Sequence, residues 1–346
     1  MIAKKQKIWD VIRVDDISAT PKYLQIVHST IKGIELGHIM VNDRLPSINE
    51  VSFELDVSRD TVEKSYRQLK HMGILESVPS KGYYIKNTDF EKPVKVLLLF
   101  NKLSAHKKII FDAFVKELGQ QVAIDFYVYN NDFSLFKKVL TAKKDEDYSH
   151  FVIIPYFLDD NGKVEEVVNM IPKEKLIILD KMVSGVHGEY GAVFENFEQD
   201  IYMALCQVVD RLRNYSKLKL MFPRNSCYPQ EIRTGFLNFC QDYAFEASVV
   251  DNIKYEDVQE GEVYINLMED DLVILIKKIL NNNLKIGQQV GIISYNETPL
   301  KEIILDGITT ISTNFKEMGK TAARLILEKD KSHIANQFEV NLRKSL

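Results

Sequence analysis

Apolar residues recur along the chain with two different periods. In the first ninety residues the period is helical. Leu24, Val27, Ile31 and Ile34 fall three or four apart after Thr20-Pro21, which reads as a cap followed by proline at the first helical position. Gly37 is the predicted stop. Ser47 and Glu50 make an S-x-x-E capping box that opens a second, short helix with Val51 and Leu55 facing inward. Asp56-Val57-Ser58 breaks it, and Ser58 caps a third helix. Val62, Tyr66 and Leu69 hold one face of that helix; Arg59, Thr61, Glu63, Lys64, Arg67 and Lys70 lie around the rest, and Gly73 ends it. Ile74–Ser77 and Gly82–Ile85 read as two strands around Pro79-Ser80-Lys81. Together these elements predict a winged helix-turn-helix with a basic wing tip.

Beyond residue 90, apolar runs alternate with helical patterns. Val94–Phe100, Ile124–Tyr129, Phe151–Pro155 and Leu176–Asp180 read as strands, with a helix near His106–Leu118. A second series runs from a helix near Phe197–Arg213 through strand Leu218–Phe222, helix Gln230–Asp242, strand Val263–Asn266, helix Asp270–Asn281 and strand Val290–Ser294. Unbroken apolar strands with crossover helices predict parallel sheets covered on both faces. Two such series predict two similar lobes with a cleft between them. The fold class is α/β: a small N-terminal winged helix-turn-helix, residues 1–90, and a two-lobed domain, residues 91–346, joined by the polar segment Lys86–Pro93.

Composition narrows the classes. Apolar runs are far shorter than the roughly 18 residues a membrane span needs, and Lys4, Lys5 and Lys7 precede no apolar leader. Cys206, Cys227 and Cys240 are odd in number and lack metal-ligand spacing, as expected of a reduced, cytoplasmic protein. A net charge of −4 argues against a general field for nucleic acid, but it is unevenly spread. Residues 1–92 hold fourteen Lys+Arg against thirteen Asp+Glu, which leaves −5 in the other 254. DNA binding must therefore come from placed contacts and from dimerisation.

A helix that starts Ser58-Arg59-Asp60-Thr61 suits the major groove. Its first N–H groups favour a phosphate, Arg59 reaches guanine or phosphate, and Thr61 is short enough for close approach. Pro21-Lys22-Tyr23-Leu24-Gln25-Ile26, Asp43-Arg44-Leu45-Pro46-Ser47, Val57-Ser58-Arg59-Asp60-Thr61-Val62 and Gly73-Ile74-Leu75 occur in the order and spacing of the GntR-family DNA-binding domain, which this region resembles over about 70 residues. The resemblance implies that Ser58, Arg59, Thr61 and the wing residues Lys81 and Gly82 touch DNA. Arg44, Ser47, Asn49 and Lys64 complete the candidate face. Asn49 stands where the family usually has arginine, and Glu63 where a basic residue is common.

In parallel α/β sheets, ligands bind beyond the carboxyl ends of the strands. Asn101, Tyr156, Asp180, Lys181, Glu269 and Asn296 occupy such ends. Carboxylates and amides among aromatic walls suit sugar hydroxyls. Lys285–Leu300, with Gly307-Ile308-Thr309-Thr310-Ile311 and Glu317-Met318-Gly319, is similar to the late strand and following segments of lac-repressor-type and ribose-binding-protein-type domains. That resemblance covers most of 94–346 and implies a cleft lined by Asp180, Arg233, Glu269 and Asn296. Asn296 replaces the usual Asp, Glu269 a common Asn, and Arg233 stands two residues before Gly235-Phe236 rather than three.

Catalysis is the competing class. None of the seven histidines forms H-E-x-x-H or a metal pair, and there is no P-loop or G-x-S-x-G. The C-terminal part is too short for the aminotransferase-like domain of some GntR members. Asp159-Asp160 and Glu269-Asp270-Asp271 offer carboxylates, and at 269–271 a helix N-terminus explains them. The expectation is a non-enzymatic, homodimeric repressor without a cofactor. Its partners are palindromic double-stranded operator DNA and a sugar or sugar-phosphate effector, with no membrane; a non-sugar metabolite is the alternative ligand.

Overall fold

The structure is a computed structural model and describes residues 8–18, 20–88, 94–119, 122–158, 162–223 and 227–346. Lys4, Lys5, Lys7, the second half of the expected linker (89–93) and the Asp159-Asp160 pair lie outside the described residues.

The N-terminal reader contains α1 (Lys22–Glu35), β1 (Arg44–Leu45), α2 (Ile48–Glu54), α3 (Arg59–His71), β2 (Leu75–Val78) and β3 (Gly82–Ile85). Ile26, Val27, Ile31, Val51, Val62 and Leu69 are buried in one core. The capping box at Ser47 is present: its hydroxyl accepts from Glu50 N–H, and the Glu50 carboxylate accepts from Ser47 N–H at 2.8 Å. Tyr66 donates its hydroxyl to the Pro46 carbonyl at 2.7 Å and ties α3 to the turn before α2. The wing is a three-stranded sheet ordered β1-β3-β2, one strand more than the expected hairpin. Thr20 does not cap α1. Pro21 holds that position with no side-chain cap, and the Thr20 hydroxyl is used elsewhere.

The first lobe is built from β4 (Val94–Phe100), α4 (Ala105–Leu118), β5 (Val122–Val128), α5 (Phe133–Lys143), β6 (His150–Ile153), α6 (Val164–Val168), β7 (Leu176–Asp180) and β8 (Gly191–Phe194). The second is built from α7 (Phe197–Gln207), α8 (Val209–Leu212), β9 (Lys217–Met221), α9 (Gln230–Asp242), β10 (Glu246–Val250), β11 (Glu262–Asn266), α10 (Glu269–Asn281), β12 (Val290–Tyr295), α11 (Pro299–Ile303) and β13 (Thr309–Thr313). Each lobe has a six-stranded sheet with apolar clusters on its two faces. The alternation of strand and helix thus produces the parallel, doubly covered sheets that the apolar runs predict.

The chain crosses between lobes three times. It leaves the first after β8. It returns with α12 (Phe315–Leu327), which packs on α4 and continues to β14 (His333–Ala335), parallel to β8. It then crosses back to β15 (Phe338–Asn341), the antiparallel edge beside β13. Buried Asn336 laces these crossings: its N–H donates to the Phe194 carbonyl at 2.7 Å, and its side-chain amide donates to Thr313 Oγ1 at 2.8 Å and the Asn314 carbonyl at 3.0 Å.

The reader docks on the edge of the first lobe's sheet. Phe126 in β5 donates its N–H to the Thr20 hydroxyl, and its carbonyl accepts from Ser18 at 3.4 Å. His28 of α1 brings Nδ1 within 3.5 Å of Asp125, whose other carboxylate oxygen accepts from Tyr148 and faces Lys95 at 3.3 Å. Two side chains of the reader thereby satisfy backbone groups that an edge strand leaves open.

Candidate DNA-reading face and interlobe cleft

The candidate DNA residues lie at the starts of α2 and α3 and on the wing. Arg44, Asn49, Ser58, Arg59, Lys64 and Lys81 are exposed; Ser47, Thr61 and Gly82 are half-buried. Ser58 caps α3: its hydroxyl accepts from Thr61 N–H at 3.2 Å and bonds the Thr61 hydroxyl at 2.8 Å. Both hydroxyls therefore order the helix start that carries Arg59. Gly82 has φ +107, and a Cβ there would come 3.3 Å from Arg44 Nε, so the wing glycine lets the guanidinium lie against β3. The Lys64 ammonium sits 3.8 Å over the Tyr23 ring, which commits it to α1.

Between the lobes lies a cleft of about 540 Å³. Of the residues expected there, Asn101, Tyr156, Asp180, Glu269 and Asn296 line it. Lys181 is outside the lining, with its ammonium 5.7 Å from the Tyr156 ring centre. Arg233 is exposed on α9, and its neighbour Ile232 reaches the cleft instead. One helical step turns the side chain by about 100°. The spacing to Gly235-Phe236, two residues instead of three, is the signal that already set it apart.

The lining also holds residues outside the expected set, among them His106, Lys107, Glu195, Tyr228, Tyr295 and Lys301. His106 and Lys107 enter with α4, whose cap Ser104 also lines the cleft. Glu195 follows β8, a four-residue strand too short to stand out in the sequence. Asp180 and Asn296 adopt φ +73 and +65, a conformation rare outside glycine and best tolerated by Asn and Asp.

A charged network forms the floor. The Asp180 carboxylate, 3 % exposed, binds the Lys107 ammonium through one oxygen and accepts the Tyr156 hydroxyl at 2.7 Å through the other. Despite burial, the Lys107 charge and these hydrogen bonds hold the Asp180 carboxyl below its usual range. Burial and the nearby Asp180 charge push Glu195 well up. Burial, reinforced by the Lys301 and Lys107 charges, lowers His106 to about 4, so its imidazole is neutral at pH 7. The Lys301 ammonium donates to the carbonyls of Tyr295 at 3.1 Å and Asn296 at 2.7 Å, and burial lowers its affinity for the proton. Among the described residues no group of three or more His, Cys, Asp or Glu is placed to hold a metal, and no helix is long and apolar enough to cross a membrane.

The model of the bacterial regulatory proteins of the gntR family matches residues 22–85, from the start of α1 to the end of the wing. Residues 22–85 are a GntR-family DNA-binding domain. Similar proteins include the HTH-type transcriptional repressor YtrA of Bacillus subtilis, 29 % identical over 115 residues, which are 33 % of this chain and 78 % of YtrA. The mannosyl-D-glycerate transport/metabolism system repressor MngR of Escherichia coli is 38 % identical over 66 residues, 19 % of this chain and 28 % of MngR. The fold is similar to that of solved transcription regulators. The trehalose repressor of Escherichia coli superposes with a TM-score of 0.58 at 14 % identity, over 72 % of this chain and 100 % of that one. The lac repressor bound to ONPG gives 0.61 at 14 % identity, over 83 % and 90 %. The chain is a transcriptional regulator in which a GntR helix-turn-helix domain is joined to a two-lobed domain of lac-repressor-like fold.

Proposed function

We propose that this chain is a homodimeric repressor whose operator affinity falls when a sugar-like effector closes the interlobe cleft. Domain one, residues 1–90, reads a palindromic operator; domain two, residues 91–346, senses and dimerises. One observation carries the sensing role: polar atoms without partners gather at the cleft. Asn101 Oδ1, His106 Nε2, Glu195 Oε2, Tyr295 OH and Asn296 Oδ1 are all buried and unbonded, and all five residues line it. Unsatisfied buried polar atoms cost about 1–3 kcal/mol each, and a polyhydroxylated ligand meets that need. The names of the structural neighbours agree, one a trehalose repressor and one a regulator with bound sucrose.

The test uses the full-length protein and a duplex selected from a random library for binding to it. Arg59→Ala weakens binding by about 1–3 kcal/mol if Arg59 reaches a base edge. Anisotropy with unchanged affinity would remove Arg59 from the DNA face. Titrating free sugars and sugar phosphates into the complex releases the duplex if the cleft is the sensor. Full retention with every member overturns the effector reading.

Contacts across the domain boundary supply a route for coupling. Helix α4 carries His106 and Lys107 in the cleft and, further along, Phe111, whose ring stacks on Phe126 at 5.0 Å. Phe126 is also the strand residue that holds Thr20. A shift of α4 on ligand binding therefore reaches the reader through one aromatic contact and one hydrogen bond. Such a route acts only if the two states differ in these contacts. Thr20→Val is expected to leave operator affinity within about threefold, a difference below 1 kcal/mol, while weakening sugar-driven release. Release by the same sugar concentration as wild type would rule the contact out.

A further inference from the structure

We propose that Glu195 sets the specificity of the cleft by acting as an uncharged carboxylic acid, with one bare oxygen that accepts from an effector hydroxyl, so that the regulator selects an unphosphorylated, hydroxyl-rich ligand over its phosphate ester. The proposal rests on the reading of the cleft as an effector site.

Geometry places Glu195 in the cleft lining where the two lobes meet. It sits at the first crossing between lobes, and its N–H donates to the Asp180 carbonyl at 2.9 Å. The residue is 7 % exposed, yet it lines the cleft, and its Oε2 is buried without a partner. Its carboxyl lies against that of Asp180, whose two oxygens are already taken by Lys107 and Tyr156. Two buried carboxyls thus face a single ammonium, and that trio is neutral when the acids share one proton.

The remaining groups around Glu195 reinforce that state. Asp200 on α7 adds a further acidic group, itself pushed up to about 6 by burial, and its Oδ2 is also unpartnered. Tyr295 and Tyr228 from the second lobe and Tyr156 from the first are phenols that burial keeps protonated. Among the described residues Lys107 is the cation that draws Glu195 toward its charged form, and burial with the Asp180 charge outweighs it, so its proton is held well above the usual carboxyl range.

Of the other unmet atoms, Tyr295 OH and His106 Nε2 can donate, and the two amide oxygens cannot. Asn101 Oδ1 and Asn296 Oδ1 only accept hydrogen bonds. Glu269 and Asp270 add carboxylates at the rim. Of the lining ammonium groups among the described residues, Lys107 is bound to Asp180 and Lys301 is spent on two backbone carbonyls, which leaves Lys102. A phosphate carries further acceptors and negative charge toward these carboxylates and amide oxygens, whereas a sugar hydroxyl brings them a donor.

Calorimetry on the full-length protein tests this with free pentoses, hexoses, 6-deoxyhexoses and common disaccharides, and with the monophosphate of each. A free sugar is expected to bind at least about tenfold more tightly than its phosphate, or about 1.4 kcal/mol. Gln mimics the protonated acid, so Glu195→Gln keeps affinity within about threefold, while Glu195→Leu loses at least about tenfold. Because Glu195 holds its proton more tightly in the folded protein than in the unfolded chain, unfolding releases that proton. Wild-type stability in urea unfolding therefore falls as pH rises through that folded-state value, while that of Glu195→Gln stays flat. Because Glu195→Gln keeps Asp200, Lys301 and the tyrosines, it controls for their titration.

A phosphate that binds more tightly than its parent sugar overturns this proposal and leaves the sensor reading standing. So does a Glu195→Gln loss as large as that of Glu195→Leu, which would mean an ionised carboxylate. Should Glu195→Leu fail to fold by circular dichroism, the glutamine variant and the pH profile still decide. Absence of binding by every sugar and every phosphate removes both the proposal and the sensor reading.

Discussion

Asp180→Ala is expected to destabilise the two-lobed domain by about 3 kcal/mol in urea unfolding followed by circular dichroism. Lys107 and Asp180 are 7 % and 3 % exposed, so removing the carboxylate leaves an ammonium in a poorly hydrated site. Breaking a buried pair from one side costs about 3–5 kcal/mol. The lower end applies here because Glu195 is adjacent and gives up its proton once Asp180 is gone, restoring a counter-charge to Lys107. The Tyr156 hydroxyl also loses its acceptor. Adding Glu195→Gln to Asp180→Ala removes the substitute, so the double variant should lose more than the sum of the singles. Two buried neighbours with a shared partner couple by about 0.5–3 kcal/mol. Additive losses, or a cost below about 1 kcal/mol for Asp180→Ala, would show that Lys107 finds water instead.

Gly319→Val is expected to lower stability by about 3 kcal/mol and to abolish the effector response. Gly319 lies where α12 crosses α4. A Cβ at that position would stand 2.4 Å from the Ile110 carbonyl oxygen, 3.0 Å from Ala113 Cβ and 3.1 Å from Phe114 N. Two of those atoms belong to helix backbone, so no rotamer change relieves the clash and the helices must separate. Over-packing typically costs about 1–3 kcal/mol, and the upper end applies when backbone must move. The same displacement shifts His106 and Lys107 at the start of α4 and Phe315 at the start of α12, three residues of the cleft. Thermal unfolding and sugar titration both read the effect. Wild-type values in the two would show that the crossing yields without cost.

Local grammar made the reader legible. Ser47, Glu50 and Ser58 specify helix starts through hydrogen bonds three residues long, and those bonds are present. Thr20-Pro21 looked like the same signal. It is not a cap, because the threonine hydroxyl is drawn to Phe126, 106 residues away. In the cleft, strand-end residues such as Asn101, Tyr156, Asp180 and Asn296 could be placed because parallel strands share one carboxyl edge. Lys107 and Glu195 could not. The first lies within a helix and the second after a four-residue strand, and each joins the site through a neighbour remote in sequence.

The sequence by itself determined the winged reader, the parallel sheets and the strand ends that face a cleft. All three follow from interactions within a few residues or from a period that marks which side is buried. Only the tertiary structure decided that α12 and β14 return to the first lobe, that Arg233 is exposed outside the cleft lining, and that Glu195 is buried beside Asp180. Each depends on groups that become neighbours only after the chain has crossed between lobes. Desolvation and charge act through space, so a glutamate unremarkable in the sequence becomes the central acid of the cleft once Asp180 and Lys107 lie beside it.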